Sequence, residues 1–452
     1  MSTSKMCIAL LVALVITKVN AQDQGKNGFT LQQAIDYAVK NSPSYKNAEL
    51  DQQNALYKKR EIAGLGLPQV SGSIDLKDYI NIPTSLLPGA IFGQPAGTYI
   101  PVKFGTKYNS TAGFSASQLI FSSDYIFGLK ASDQFMSLSR ISLDRTKSDI
   151  AANVSKAYYN VLVNRDRIKL LEANITRLKK AMDDTKAYYG QGFAEQIDAQ
   201  RLEVQFNNLL TELEKVKRLI GLSETLLKFQ MGYKLDADIT LVDSLNIDVD
   251  QIQELIPTNN ISQRPDYRLL QANQDMLDLN VKRLQYGYLP TLAAYGAYQY
   301  NAQRNTFNLL SFDKNDVTKQ WFKVALVGVT LNVNVFDGMQ RHNRIQQARI
   351  ESQKNLNILQ NLEQAGQLES TVAAISYNNA YYSLKIQKKN LELALKVADV
   401  AQKKFQAGVG SNLEVVNAEA SLKEAQTNYY NAMYDMLVAK IDYLKAQGTL
   451  IK

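Results

Sequence analysis

Side chains suited to covalent or acid–base chemistry are scarce in this 452-residue chain. The only histidine, His342, stands among Arg341 and Arg344 just after a strand-to-helix junction, where it reads as a surface residue rather than a general base. The only cysteine, Cys7, lies near the start of the chain. No nucleophile elbow, phosphate loop or metal-ligand spacing occurs. Carboxylates are abundant, but at this density acids and bases three or four residues apart are expected as surface pairs on helices. Lone glycines such as Gly64 and Gly66 precede Pro68 and end a helix. The residues therefore argue against an enzyme, and no catalytic residue, cofactor or metal is expected.

The N-terminus carries Lys5, an apolar run from Met6 to Ile16, and Val19-Asn20-Ala21 ahead of polar Gln22-Asp23. This pattern predicts a secretory signal peptide over residues 1–21, too short to span a membrane. Cys7 lies inside it, so the mature chain is expected to lack thiols, disulfides and sulfur-bound metal. The formal charge of +8 falls to +6 once Lys5 and Lys18 are removed. No compact basic run stands out, so the excess reads as a solvated helix surface and nucleic acid is not an expected partner. No further run of about 18 apolar residues exists, which excludes a helical span but not a β-barrel, whose alternating strands are invisible to average hydropathy.

The elements that would position any functional residue are long. None of the nine prolines falls within 102–256 or 291–452, so unbroken helices are possible there. From Ile126 to Tyr189, Ile150, Val154, Ala157, Val161, Ile168, Leu171, Ile175, Leu178 and Met182 step by threes and fours, with polar Asn164 at the one skipped seam position. That is the seam of helices packed side by side, and about 64 residues at 1.5 Å each make a rod of roughly 95 Å. Gly190 and Gly192 stop it, and a return helix runs from about Glu195 to Phe229. A second long helix, about Arg341 to Phe405, turns at Gly408 and Gly410 and returns along Leu413, Val416, Ala420, Thr427, Tyr430, Tyr434, Leu437, Ile441 and Leu444. Short helices at about 44–64 and 266–287 fill the length that the return arms lack.

Strands are expected at about 69–80, 106–121, 291–301 and 321–336. Val327, Val329, Leu331, Val333 and Val335 alternate with Gly328, Thr330, Asn332 and Asn334, giving one apolar and one polar face. Tyr298, Tyr300, Trp321 and Phe322 lie near expected strand ends, where a barrel places its aromatic girdle. Residues 81–105, with four prolines, read as a long irregular loop, and 302–320 as a shorter polar one.

The plan occurs twice. Asn41 to Tyr45 matches Gln263 to Tyr267, and Leu67-Pro68 matches Leu289-Pro290, both at a spacing of 222 residues. Leu119-Ile120-Phe121 matches Asn334-Val335-Phe336 at 215, and Tyr189 to Phe193 matches Phe405 to Val409 at 216. Ordered landmarks whose spacing drifts only at loops predict an internal duplication, with repeats over 22–231 and 263–452 joined by a linker at 232–262. Closed membrane barrels begin at eight strands, and an open edge in lipid leaves backbone groups unpaired. One chain with four strands needs partners, eight strands from two chains or twelve from three.

Arg264-Pro265-Asp266 followed by Leu289-Pro290, the junction Phe336-Asp337-Gly338 with Arg341, Arg344 and Ala348, and the tip Phe405-Gln406-Ala407-Gly408 leading to Leu413-Glu414-Val415-Val416-Asn417-Ala418 resemble the TolC-like family of outer-membrane efflux and secretion channels. The resemblance spans essentially the whole mature sequence. It implies a mainly α fold with membrane β-structure: a homotrimer with one shared twelve-stranded β-barrel in outer-membrane lipid and a helical tunnel through the periplasm, closed near the hairpin tips until an inner-membrane pump and its periplasmic adaptor (a membrane fusion protein) engage. By position Asp198 and Glu414 match acidic gate residues, and Asn417 stands where a second acid is often found. The chain departs from the best-known pattern at Phe405, where a gate tyrosine would sit, and at Gly410, where a gate arginine would sit, so a gate of another kind is expected, such as an acidic ring from copies of Glu414. The tips Gly190 to Ala194 and Gly408 to Asn412 are the candidate adaptor contacts. A non-channel periplasmic coiled-coil adaptor or exported rod is the alternative.

Overall fold

A computed structural model describes residues 28–245, 253–258, 260–308 and 311–451. The expected signal peptide lies outside the described residues, as do 246–252 and 259 of the expected linker. The first helix is α1 (Leu31–Asn41), followed by α2 (Pro43–Gly64), the strands β1 (Gln69–Asp78), β2 (Thr84–Pro88), β3 (Tyr99–Lys103) and β4 (Tyr108–Phe121), and the hairpin of α3 (Ser123–Gly190) and α4 (Gln196–Met231). The second half runs α5 (Pro265–Tyr286), β5 (Thr291–Arg304), β6 (Phe322–Asn332), α6 (Gln340–Gln406) and α7 (Asn412–Ala446). Helices α3 and α6 hold 68 and 67 residues, α4 and α7 hold 36 and 35, and α2 and α5 hold 22 each, so these helices recur in the two halves at nearly the same lengths. Among the described residues no helix is long and apolar enough to cross a membrane.

The chain forms two compact units, and both halves contribute to each. One takes residues up to Ser42, 153–253 and 380–438; the other takes 43–152, 254–379 and 439 onward. The core of the first is a four-helix seam: Leu171, Leu178 and Met182 of α3, Leu202, Leu209 and Val216 of α4, Leu391 and Ala398 of α6, and Val415, Ala418 and Leu422 of α7. The expected α3 seam is largely buried, and so are Tyr430, Leu437 and Ile441 of the expected α7 seam, but the start of α7 buries other residues than those expected. Leu413 is half exposed and Ala420 exposed, while Val415, Ala418, Leu422 and Ala425 are buried. Alanines let neighbouring helices approach closely here, so side-chain size misled the periodicity reading. Phe29 bridges Leu241 beside this seam, and buried Tyr158 donates to the Phe29 carbonyl (2.8 Å) and to Asp243 Oδ2 (2.9 Å).

The second unit contains a four-stranded antiparallel sheet in the order β1-β4-β5-β6. Helix α2 feeds β1 and β4 feeds α3 at one end; α5 feeds β5 and β6 feeds α6 at the same end. Strand β6 stops at Asn332, short of Val333 and Val335. Asn332 pairs with Thr291, and the next residue back along β5's approach is Pro290, which has no N–H to extend the ladder. The expected irregular loop after β1 is instead partly regular, with β2 and β3 forming their own ribbon. Pro88 and Pro101 are tolerated because a two-stranded ribbon leaves outward positions without ladder bonds.

Candidate functional site

Register decides what the sheet can do. Val70 pairs with Ala116, Ile74 with Ala112, Phe114 with Tyr298, Gly296 with Val327 and Ala294 with Val329. Directly opposed residues share a face, so one face gathers Val70, Ile74, Phe114, Tyr298, Val327 and Val329. It is bare: Val327 is 91% and Ile74 82% exposed. The other face carries Ser71 and Ser115, whose hydroxyls lie 2.9 Å apart, with Ser73, Asp75, Thr111, Gln299 and Asn301. An exposed apolar face and a polar reverse suit a sheet between lipid and an aqueous lumen. β1 and β6 each have one strand partner, so the sheet has two open edges.

The four girdle candidates do not act together. Tyr298 and Tyr300 lie on the apolar face with hydroxyls 3.2 Å apart, but well inside β5, which runs three residues beyond the expected end at 301. Phe322 opposes Asn301 and so belongs to the polar face, and Trp321 precedes β6. Period-two alternation separates neighbours that sequence proximity had grouped.

At the hairpin tips the four glycines split into two kinds. Gly192 (φ 79°) and Gly408 (φ 74°) are left-handed, whereas Gly190 ends α3 with an ordinary backbone and Gly410 is not left-handed either. Each left-handed glycine closes a Schellman motif: Phe193 N–H donates to Tyr188 O (2.8 Å) and Gly192 N–H to Tyr189 O (3.0 Å), while Val409 N–H donates to Lys404 O and Gly408 N–H to Phe405 O, both at 3.0 Å. The apolar residue of each motif stays outside, Phe193 at 81% and Val409 at 79% exposure.

The gate candidates fare unequally. Asp198, in the first turn of α4, pairs loosely with Arg201 (3.7 Å). Its backbone carbonyl accepts from Asn412 Nδ2 at 2.5 Å, tying the start of α4 to the start of α7. Glu414 and Asn417 are exposed and, with Ser421, line a groove of about 510 Å³ whose far side is Lys396, Val397, Val400 and Lys404 of α6. Phe405 is partly buried against the helical core, which makes it a packing residue. His342 is exposed on α6.

Sequence reasoning missed a buried network in this unit. Arg177 of α3 grips Glu419 of α7 with two bonds, Nε to Oε1 and Nη2 to Oε2, both 2.9 Å. Arg177 Nη2 also donates to Asn174 (3.1 Å), which donates to Gln426 (2.5 Å). Within the first hairpin Arg165 meets Glu224 (2.6 Å) and Arg167 meets Glu212 (2.7 Å). In the other unit the quoted motifs turn out to organise junctions. Arg264 caps α5, binds Asp266 through two bonds (3.1 and 2.8 Å) and reaches Glu369 of α6 at 2.7 Å. Burial alone would raise the Asp266 pKa, but the guanidinium of Arg264 and backbone N–H bonds outweigh it and hold the carboxyl below its usual range. Asp337 accepts the Arg341 N–H at 3.2 Å, and Arg341 lies 4.9 Å over the Tyr288 ring and donates to the Gly287 carbonyl.

The two halves also share a close approach. Gly232 (φ 66°) and Gly448 (φ 68°) end α4 and α7 in Schellman motifs. A Cβ on Gly232 would stand 3.0 Å from Asn41 O and Ser42 Cα, and one on Gly448 3.2 Å from Arg264 N and Gln263 C. In both places a left-handed glycine abuts the residues that precede the proline of a short helix.

Comparison with known proteins agrees with this architecture. Residues 256–449 match the family model described as outer membrane efflux protein. The chain is 22% identical over 463 aligned positions to outer membrane protein TolC of Escherichia coli K12, covering 99% of this chain and 87% of that protein. It is 20% identical to the probable efflux pump outer membrane protein TtgC of Pseudomonas putida KT2440, over 76% of this chain and 69% of that one. The solved structure of the transmembrane channel protein CusC superposes with a TM-score of 0.73 over 92% of this chain and 91% of its own, at 15% identity. Residues 256–449 match an outer membrane efflux protein domain, and along nearly its whole length the chain is similar to TolC-like outer-membrane channels.

Proposed function

We propose that the chain forms the outer-membrane channel-tunnel of a tripartite efflux, or type I secretion, system, passing substrate from an inner-membrane pump and a periplasmic adaptor to the outside. The observation that carries this is the two-faced sheet with two open edges. In lipid an unpaired backbone group costs several kcal/mol, so β1 and β6 must find partners. Edge-to-edge joining of copies is heterologous and closes as a ring; three copies of four strands give a twelve-stranded barrel. The helices support the same ring. Leu368, Val372, Ile375, Ile386 and Leu393 of α6, at near-heptad spacing, are all 50% exposed or more, as are Leu222 and Phe229 of α4. Such seams fit adjoining subunits of an α-barrel. A coiled-coil adaptor or exported rod has no use for a sheet with so bare an apolar face.

The tips, where Phe193 and Val409 project, are the candidate adaptor contacts, and Glu414 and Asn417 the candidate constriction residues. Glu414 shares its groove with Lys396 and Lys404, so its carboxylate offsets part of the positive field of two cations, and its removal leaves them unopposed there. The purified protein should sediment with outer membranes and give small, mostly closed conductances in planar bilayers. Recovery as a soluble periplasmic monomer would sink this reading. Glu414→Gln should shift selectivity away from cations, read as a changed reversal potential in a salt gradient; an unchanged potential removes Glu414 from the constriction.

A further inference from the structure

Residues 79–107 join β1 to β4 at the end of the sheet opposite the helix junctions. They form an arm in which β2 pairs with β3 and Gly89–Phe92 makes the turn between them. Its apolar side chains stand in the open: Ile80 is 91% exposed, Ile91 69%, Leu86 64% and Phe92 54%. No carboxylate occurs from Tyr79 to Lys107, and the cations are Lys103 and Lys107, the latter 5.2 Å over the Tyr108 ring. Among the described residues the ribbon has no extensive packing against another element beyond its own turn. A lone two-stranded ribbon is marginal in water, and an exposed apolar surface of this kind marks a contact face.

The β5–β6 loop lies at the same end. Buried Arg304 ties Asn308 and Lys319 together by donating to their carbonyl oxygens, the latter at 2.9 Å. Asp316 adds a bond from the Thr318 N–H at 3.0 Å. Phe312 and Val317 nevertheless remain 62% and 66% exposed. Strand order brings arm and loop together across a subunit boundary. β1 and β6 are the two open edges and run in opposite directions, so joining β6 of one copy to β1 of the next sets the loop of the first beside the arm of the second.

We propose that the arm is an intersubunit clasp, its apolar side chains packing on Phe312 and Val317 of the adjacent copy. The inference rests on the oligomeric channel reading given above. Charge selects a second copy over an anionic lipid surface. A cation near such a surface contributes about 1 kcal/mol, and the arm offers two lysines, one already engaged with Tyr108, while its exposed bulk is aliphatic and aromatic. The loop, held by Arg304, is a preorganised platform that loses little freedom on contact.

Disulfide cross-linking tests this directly, because Cys7 is the only native cysteine. In a Cys7→Ser background, Ser73→Cys combined with Leu326→Cys or Thr330→Cys reports the β1–β6 seam, and Phe92→Cys or Leu86→Cys combined with Phe312→Cys or Val317→Cys reports the clasp. Both sets should yield covalent dimers and trimers on non-reducing gels. The triple change Leu86→Ser, Ile91→Ser, Phe92→Ser should lower the dissociation temperature of the detergent-resistant oligomer by about 5 °C while the seam cross-links still form. Seam cross-links without clasp cross-links, with an unmoved dissociation temperature, overturn the clasp and leave the channel standing. Arm-dependent binding to vesicles containing anionic lipid, with no clasp cross-link, also overturns it. Monomers with no cross-link from either set overturn both readings.

Discussion

Gly232 and Gly448 show how little freedom single positions have in this fold. Each needs a left-handed backbone and each faces main-chain atoms at 3.0–3.2 Å, so a methyl group meets strain and collision together. Gly232→Ala should destabilise its unit by about 1–3 kcal/mol, read as a fall in the midpoint of thermal unfolding, and Gly448→Ala should do the same. Gly190→Ala, at a helical residue with open space around it, should leave the midpoint unchanged. The sequence pointed to all four tip glycines equally. Backbone angles mark Gly192 and Gly408 as required, close approach to Lys404 at 2.8 Å marks Gly410, and only Gly190 is free of both constraints, none of which follows from composition.

Among elements, the links between hairpins were the least legible. The seams of α3 and the lengths of α3, α4, α6 and α7 followed from periodicity and from where prolines are missing, which are local signals. The Arg177–Glu419 pair joins residues 242 positions apart, and an acid on a helix rich in acids carries no mark of burial. Glu419→Gln should lower stability by about 2–3 kcal/mol, below the value for a fully buried pair because Arg177 is a quarter exposed. Arg177→Met with Glu419→Leu should recover most of the loss in the same unfolding assay. Asp266 adds a pH dependence. Its folded pKa is depressed, so its contribution is present above the unfolded value near 3.9 and is lost as pH falls through the lower folded value. Asp266→Asn should therefore weaken the protein at neutral pH and flatten the acid limb of its stability curve.

For the whole molecule, the sheet separates apolar from polar positions with a sharpness that permits a matched test. Val327→Arg places a charge on the apolar face and should cost about 2–4 kcal/mol if the position lies near the bilayer midplane, seen as failure to form detergent-resistant oligomers in lipid vesicles. Ser73→Arg, on the polar face, should assemble normally and change conductance instead. Alternation made the strands readable, most clearly at Val327, Val329 and Leu331. The β2–β3 arm was not, since prolines at 83, 88, 95 and 101 speak for loop in any local reading. The girdle candidates divide for a related reason: Tyr300 and Phe322 are near one another in strand position but differ in face.

The two open edges bear on inheritance as well as on architecture. Because each seam of a closed ring belongs to two chains, a copy with a damaged edge cannot be confined to its own share of the wall. For the proposed trimer, in a cell making equal amounts of sound and edge-damaged chain, random assembly would leave about one ring in eight wholly sound. A lesion in β1 or β6 should thus behave as dominant, while a lesion in a lumen-facing side chain of β4 or β5 should be diluted by its neighbours.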